Sequence, residues 1–170
     1  MIRRLTGAEA CAHLRGLAEV LHDCVEGGAS VSFMYPFSIA DAEQFFRQVI
    51  DGIDTGERIL LAAFDGDHVI GTVQLILATP PNQPHRAEIA KLLVRRLARG
   101  RGVAAALMQS VEEHARAAGK TLLMLDTVTG GAAERLYERL HWTKAAIIPN
   151  YAMFPDGRWC DTTIFWKQLE

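Results

Sequence analysis

The stretch Leu92-Leu93-Val94-Arg95-Arg96-Leu97-Ala98-Arg99-Gly100-Arg101-Gly102-Val103-Ala104 runs from an apolar strand-like segment through an Arg/Gly loop directly into helical sequence. Gly100 and Gly102 allow a tight turn and let backbone N–H groups approach a ligand closely. The helix start adds unpaired donors and the positive end of the helix dipole, a combination that suits a diphosphate. Arg99 and Arg101 can add charge-assisted hydrogen bonds. A solvated basic turn would have the same composition, so the loop alone leaves both readings open. No Gly-Lys-Ser/Thr follows, which excludes a Walker A loop, and GxGxxG is absent from this mid-chain element.

Working outward, Arg86–Val94 reads as the strand that feeds this loop and Gly102–Ala118 as the helix that leaves it, with Gly119 as its stop. On the amino-terminal side, Met1–Leu5 reads as an edge strand. Thr6 and Glu9 have capping-box spacing before an amphipathic helix over Ala8–Val25. A loop over Gly27–Phe37 precedes a second capped helix beginning at Ser38 and Asp41. Ile59–Phe64 and His68–Ala78 flank Asp65-Gly66-Asp67 as a hairpin. On the carboxyl-terminal side, Thr121–Thr127 reads as a strand and Ala132–Leu140 as a helix. Strands near Thr143–Ile148 and Cys160–Lys167 follow, joined through Pro155-Asp156-Gly157. This order predicts an α/β protein with one mixed sheet whose centre is partly parallel.

The 170 residues carry 18 Lys and Arg against 20 Asp and Glu, a net charge of −2, with 49% hydrophobic and 22% charged residues. That length predicts one domain over residues 1–170 and a core that needs neither disulfide nor metal. The charge balance speaks against nucleic acid as a partner, because phosphate-driven binding wants a large cationic excess. Three cysteines without CxxC spacing predict free thiols in a reducing compartment. With no signal-like apolar start and no apolar run of about 18 residues, a cytoplasmic protein without a membrane partner is expected. The six histidines show no metal-ligand spacing, so no metal is assigned.

Arg99-x-x-Gly102-x-Ala104 is similar to the Q/R-x-x-G-x-G/A signature of the GNAT acyl-CoA N-acyltransferases, which also lies between the fourth strand and third helix. Ala133-Glu134-Arg135-Leu136-Tyr137-Glu138-Arg139-Leu140-His141-Trp142 resembles the family's A-x-x-F/L-Y-x-x-x-G-F segment, with His141 standing at the usual glycine. Gly130 occupies a position where the family often has asparagine. The element order follows the family along the whole chain. Within it, Gly27-Gly28-Ala29-Ser30-Val31-x-Phe33-Met34, Arg86-Ala87-Glu88, Leu125-Asp126-Thr127 and Pro155-Asp156-Gly157-Arg158 resemble the tabtoxin-resistance type of acetyltransferase.

The resemblance implies a mixed, mostly antiparallel sheet flanked by helices, acetyl-CoA as acyl donor, and direct transfer to an amine. It implies the donor's diphosphate on Arg99, Gly100, Arg101, Gly102, Val103 and Ala104, and its pantetheine arm beside Leu92, Leu93 and Val94. It also implies Tyr137 as the acid that protonates the departing thiolate. Read as a residue alone, Tyr137 is better explained as a core side chain, since Ala133, Leu136 and Leu140 share its helical face.

The acceptor's ammonium must lose a proton, and Glu88 and Asp126 are the candidate bases. Strand alternation places Glu88 on the face of Leu92 and Val94, while Asp126 closes the apolar run Leu122–Leu125 at a strand's carboxyl end. A salt bridge to Arg86 or Lys91 would account for Glu88 equally well, and a turn before Thr127 for Asp126. Phe33 and Met34 either wall the acceptor pocket or pack their loop onto the core. A small amine acceptor is expected, such as a toxin, antibiotic or amino-acid-like metabolite, on a monomer or homodimer. The rivals are a protein or peptide acceptor and a non-enzymatic acyl-CoA sensor.

Overall fold

A computed structural model describes residues 1–170. Strand β1 (Ile2–Leu5) leads into α1 (Gly7–Ala12), α2 (Leu14–Glu26) and α3 (Ile39–Asp54). The hairpin β2 (Arg58–Asp65) and β3 (His68–Ile76) follows, then β4 (Arg86–Val94), α4 (Val103–Ala117), β5 (Leu122–Val128) and α5 (Ala132–Arg139). Two long strands, β6 (Thr143–Met153) and β7 (Trp159–Gln168), complete one seven-stranded sheet in the order β1-β2-β3-β4-β5-β7-β6. Only β4 and β5 run parallel as neighbours; every other pair is antiparallel. The fold is therefore the mixed, mostly antiparallel α/β sheet flanked by helices. The second strand–helix–strand passage adds no parallel pair, because β7 inserts between β5 and β6.

The sheet is covered on both faces, which explains why Ile59–Phe64 is apolar without alternation. Ile59, Leu61 and Ala63 belong to the core beneath α4 and α5, while Leu60, Ala62 and Phe64 belong to the core beneath α1, α2 and α3. Both capping boxes form as the spacing predicts: Thr6 with Glu9, and Ser38 with Asp41. The single helix expected over Ala8–Val25 is instead two, broken at His13. That ring packs edge-on against Phe64 at 4.9 Å and meets the Arg3 guanidinium at 3.3 Å. Apolar spacing does not encode those tertiary contacts. Strand β6 also runs past Pro149, where the sequence suggested a stop; an edge strand tolerates a proline. His141 keeps the turn after α5 with φ 61°, the left-handed conformation glycine adopts without strain.

Strand β4 governs the site. Its ladder to β5 has three residue pairs, Arg86 to Glu88 against Leu122 to Met124, and then the strands separate. Beyond it, Lys91 takes φ 51° and the register with β3 slips between Thr72 and Gln74, which marks a β-bulge. The bulge reverses the alternation. Ala87 and Ile89 face the α4 side, Leu93 faces the α2 side, and Leu92 and Val94 return to the α4 side. The expectation that Glu88 shares a face with Leu92 and Val94 is thereby corrected: one inserted residue puts them on opposite faces.

Helix α4 sits close over this region because β3 carries Gly71. A Cβ there would lie 2.9 Å from the Leu93 carbonyl oxygen and 3.2 and 3.3 Å from Leu107 and Val103. Gly71→Ala is expected to cost ~1–3 kcal/mol through overpacking, read as a lower urea midpoint. An unchanged midpoint would show that β3 and α4 have room to part.

Candidate active site

Where β4 and β5 diverge, a cleft of about 760 Å³ opens between them. Its floor is β4 from Ile89 to Val94, one wall is the loop Arg99–Gly102 with the start of α4, and the other is Asp126–Val128 with α5. The far end is bordered by Ser30, Val31 and Ser32 from the loop before α3 and by Phe154 from the β6–β7 turn. These two segments are tied together: the Ser30 hydroxyl donates to the Met153 carbonyl at 2.6 Å, and the Tyr35 N–H to Pro155 at 3.0 Å.

The loop into α4 has the predicted geometry. Gly100 and Gly102 adopt φ 76° and 77°, and Gly102 caps the helix with no side-chain hydrogen bond. The first N–H groups of α4, from Val103 to Ala105, therefore have no helical partner and lie on the cleft. Nothing stands within 4 Å of a Cβ built on either glycine, so the space above them is open to a ligand.

The arginines of this segment divide sharply. Arg95 pairs with Glu19 at 2.6 Å, Arg96 with Asp23 at 2.9 Å, and Arg101 with Asp65 at 3.0 Å. The bond from Arg95, against a smaller opposing effect of burial, holds the Glu19 carboxyl below the usual carboxylate range. Arg99 alone has no carboxylate partner; it lines the cleft with its Nε bonded to the Val94 carbonyl at 3.2 Å. Arg101, expected with Arg99 on the cofactor, thus points toward the β2–β3 turn instead.

Tyr137 is 5% exposed, packed beside Trp142 and Phe165, and lines the cleft. Its hydroxyl makes no hydrogen bond to any protein atom. Burial pushes the phenol well above its ordinary value, and the charge of Asp126 pushes the same way. The α5 amino terminus beside it is pinned by buried Glu134, which accepts from Gly130 and Thr163 and pairs with Lys144.

The carboxylate candidates part company. Asp126 is on the cleft wall, but it is exposed, not enclosed in apolar surroundings as its neighbours in sequence suggested. Glu88 is ion-paired to Arg86 at 2.8 Å, 47% exposed, and not among the cleft residues. Phe33 packs against Phe37 and Phe45 and stands behind Lys91, whereas Met34 is exposed away from the cleft.

Among the cleft residues that escaped the sequence reading are Lys91, Ser32 and Arg139. Lys91 was readable in principle, as a lone cation inside Ile89-Ala90-Lys91-Leu92-Leu93. Burial lowers its ammonium below the ordinary lysine value, and the charge of Asp126 partly opposes this.

The acetyltransferase (GNAT) family model matches residues 23–142. Among solved structures, ribosomal-protein-alanine N-acetyltransferase of Brucella melitensis is similar at 23% identity and TM-score 0.81, covering 99% of this chain and 99% of that one. A Salmonella typhimurium protein solved with its cofactor acetyl-CoA has 20% identity and TM-score 0.80, covering 100% and 94%. A candidate phosphinothricin N-acetyltransferase has 19% identity and TM-score 0.80, covering 100% and 98%. At such identities the likeness is one of fold. The family match, however, spans the chain from the end of α2 to the turn after α5, including β4, the glycine loop, α4, β5 and α5, and the chain belongs to the GNAT family of acetyltransferases.

Proposed function

We propose that this acetyltransferase moves the acetyl group of acetyl-CoA directly to the amine of a small-molecule acceptor, with both substrates in the one cleft. A single juxtaposition carries the proposal. The uncapped start of α4 and the unpaired Arg99 border the same cavity as Tyr137, a buried side chain whose hydroxyl has no protein partner.

The residues present fit the donor. Free N–H groups from Val103 to Ala105 and the open glycine loop suit a diphosphate. Arg99 adds the charge-assisted bond. Past Glu88, β4 has no ladder to β5, so Ala90–Val94 offers a strand edge to the amide-bearing pantetheine arm. Bound acetyl-CoA supplies the thioester. Asp126 takes the proton of the acceptor's ammonium, and Tyr137 gives its proton to the departing thiolate. A phenol kept protonated by burial stays competent as a donor across the neutral range.

The bordered far end supports a small acceptor over a protein: the hydrogen-bonded Ser30–Tyr35 loop and β6–β7 turn stand where a peptide would need a long groove. The resemblance to tabtoxin-resistance enzymes supports the same class.

Acetyl-CoA at saturating concentration should raise the melting temperature by several degrees; no shift would remove the donor from the proposal. Arg99→Ala should weaken acetyl-CoA binding about tenfold, whereas Arg101→Ala, already committed to Asp65, should change it far less. Equal losses in calorimetry would contradict the division of the arginines. Tyr137→Phe should lower kcat about 100-fold with acetyl-CoA affinity kept. Because the phenol's value is raised, it remains protonated as pH climbs through its ordinary value of about 10. Turnover should therefore show no alkaline fall assignable to Tyr137 below that pH, and such a fall, lost in Tyr137→Phe, would count against the assignment.

A further inference from the structure

Beyond the donor's binding features, the cleft holds a second pair of charges that the fold leaves unsatisfied. Lys91 is held at the bulge with its Nζ 3.0 Å from the Ser32 hydroxyl and 6.0 Å from the rings of Phe33 and Phe45. No carboxylate pairs with it, although an ammonium has three donors to satisfy. Across the same cleft Asp126 has neither an ion pair nor a hydrogen bond. The two feel each other's charge without contact. A half-buried cation with one neutral partner is costly unless an anion joins it. The complement of a separated cation and anion lining one cleft is a molecule with the opposite charges at the same spacing.

We infer that the acceptor is a small zwitterion, an amine that also bears a carboxylate, with Lys91 and Ser32 holding the carboxylate and Asp126 facing the ammonium. This rests on the acetyl-transfer assignment above and adds the substrate class. Ser32, at φ 81°, is presented to Lys91 by the loop tied to the β6–β7 turn, so the anion subsite lies at the end of the cleft bordered by Ser30 and Phe154. The amine is thereby directed back toward Asp126 and Tyr137, whose mutual influence marks them as neighbours. Lys91 and Ser32 are specificity residues here: they orient the acceptor and take no part in proton transfer.

The test uses the full chain, with free thiol release measured for the standard amino acids, β-alanine, 4-aminobutyrate and 5-aminopentanoate, each beside its carboxamide, and for a peptide with a free amino terminus. At least one free acid should be acetylated with KM roughly 10–100-fold below that of its amide. Lys91→Met should erase that ratio by raising KM for the acid alone, with kcat within about threefold; Lys91→Arg should restore part of it, and Ser32→Ala should reduce it. Retained thermal stabilisation by acetyl-CoA shows that each variant is folded and donor-competent. If acetyl-CoA binds but no acid is turned over, if amides or the peptide serve as well, or if Arg139→Met rather than Lys91→Met removes the preference, the inference fails alone. An equal loss of kcat on acid and amide in Lys91→Met would overturn it too, by making the lysine part of the transfer chemistry. If acetyl-CoA does not bind the wild type, the underlying assignment fails instead.

Discussion

Pairing between β4 and β5 stops after three residues, and the chemistry of the chain depends on that interruption. A parallel pair carried to full length would satisfy the backbone of β4 and close the sheet. The bulge at Lys91 instead turns the strand away, leaving a pleated edge in the middle of a sheet and not at its border. Such an edge is normally an aggregation risk, but here helices and loops enclose it, and it becomes a place where an extended amide-bearing molecule can be read. The same residue reverses the alternation, so one strand serves the α4 core with Ile89 and Val94 and the α2 core with Leu93.

Electrostatics then act at short range. Four arginines between Arg95 and Arg101 look like a cationic funnel in the sequence, but three of them end in carboxylates of α2 and the β2–β3 turn. An ion pair presents a dipole, whose field falls faster with distance than that of a lone charge. The positive charge left without a carboxylate partner near the cleft is Arg99, beside the open end of α4. The pairs have a different effect: they fasten the Arg/Gly segment to α2 and to the hairpin, so the loop meets a ligand already shaped.

Local signals were the legible ones. The capping boxes, the Asp65-Gly66-Asp67 turn, the glycines at positive φ and the helical spacing of α4 and α5 each depend on neighbours a few residues away. For that reason the element order and the place of Gly100, Gly102 and Arg99 could be read directly, whereas Tyr137 reads locally as a core side chain and is singled out only by the family resemblance. The bulge could not. It is a register decision made jointly by β3, β4 and α4, and it undid the parity argument that grouped Glu88 with Leu92 and Val94. Partners distant in sequence were equally hidden: Arg101 has the right composition for an anion contact, yet Asp65 lies 36 residues away with a prior hold on it. Lys91 was visible as an anomaly in an apolar strand, but its meaning required knowing that Ser32 would face it.

The tie between the loop before α3 and the turn between β6 and β7 has a consequence for how the protein is assembled. Ser30 and Met153 are 123 residues apart, and the far wall of the cavity exists only when both are in place. Contacts of such long separation require closing a large loop and weigh on folding speed. During synthesis the donor-side elements, β4 and α4, emerge well before β7. In the proposed function, selectivity for the acceptor is therefore a property of the completed fold, whereas the donor's glycine loop and Arg99 lie within one short stretch of the chain.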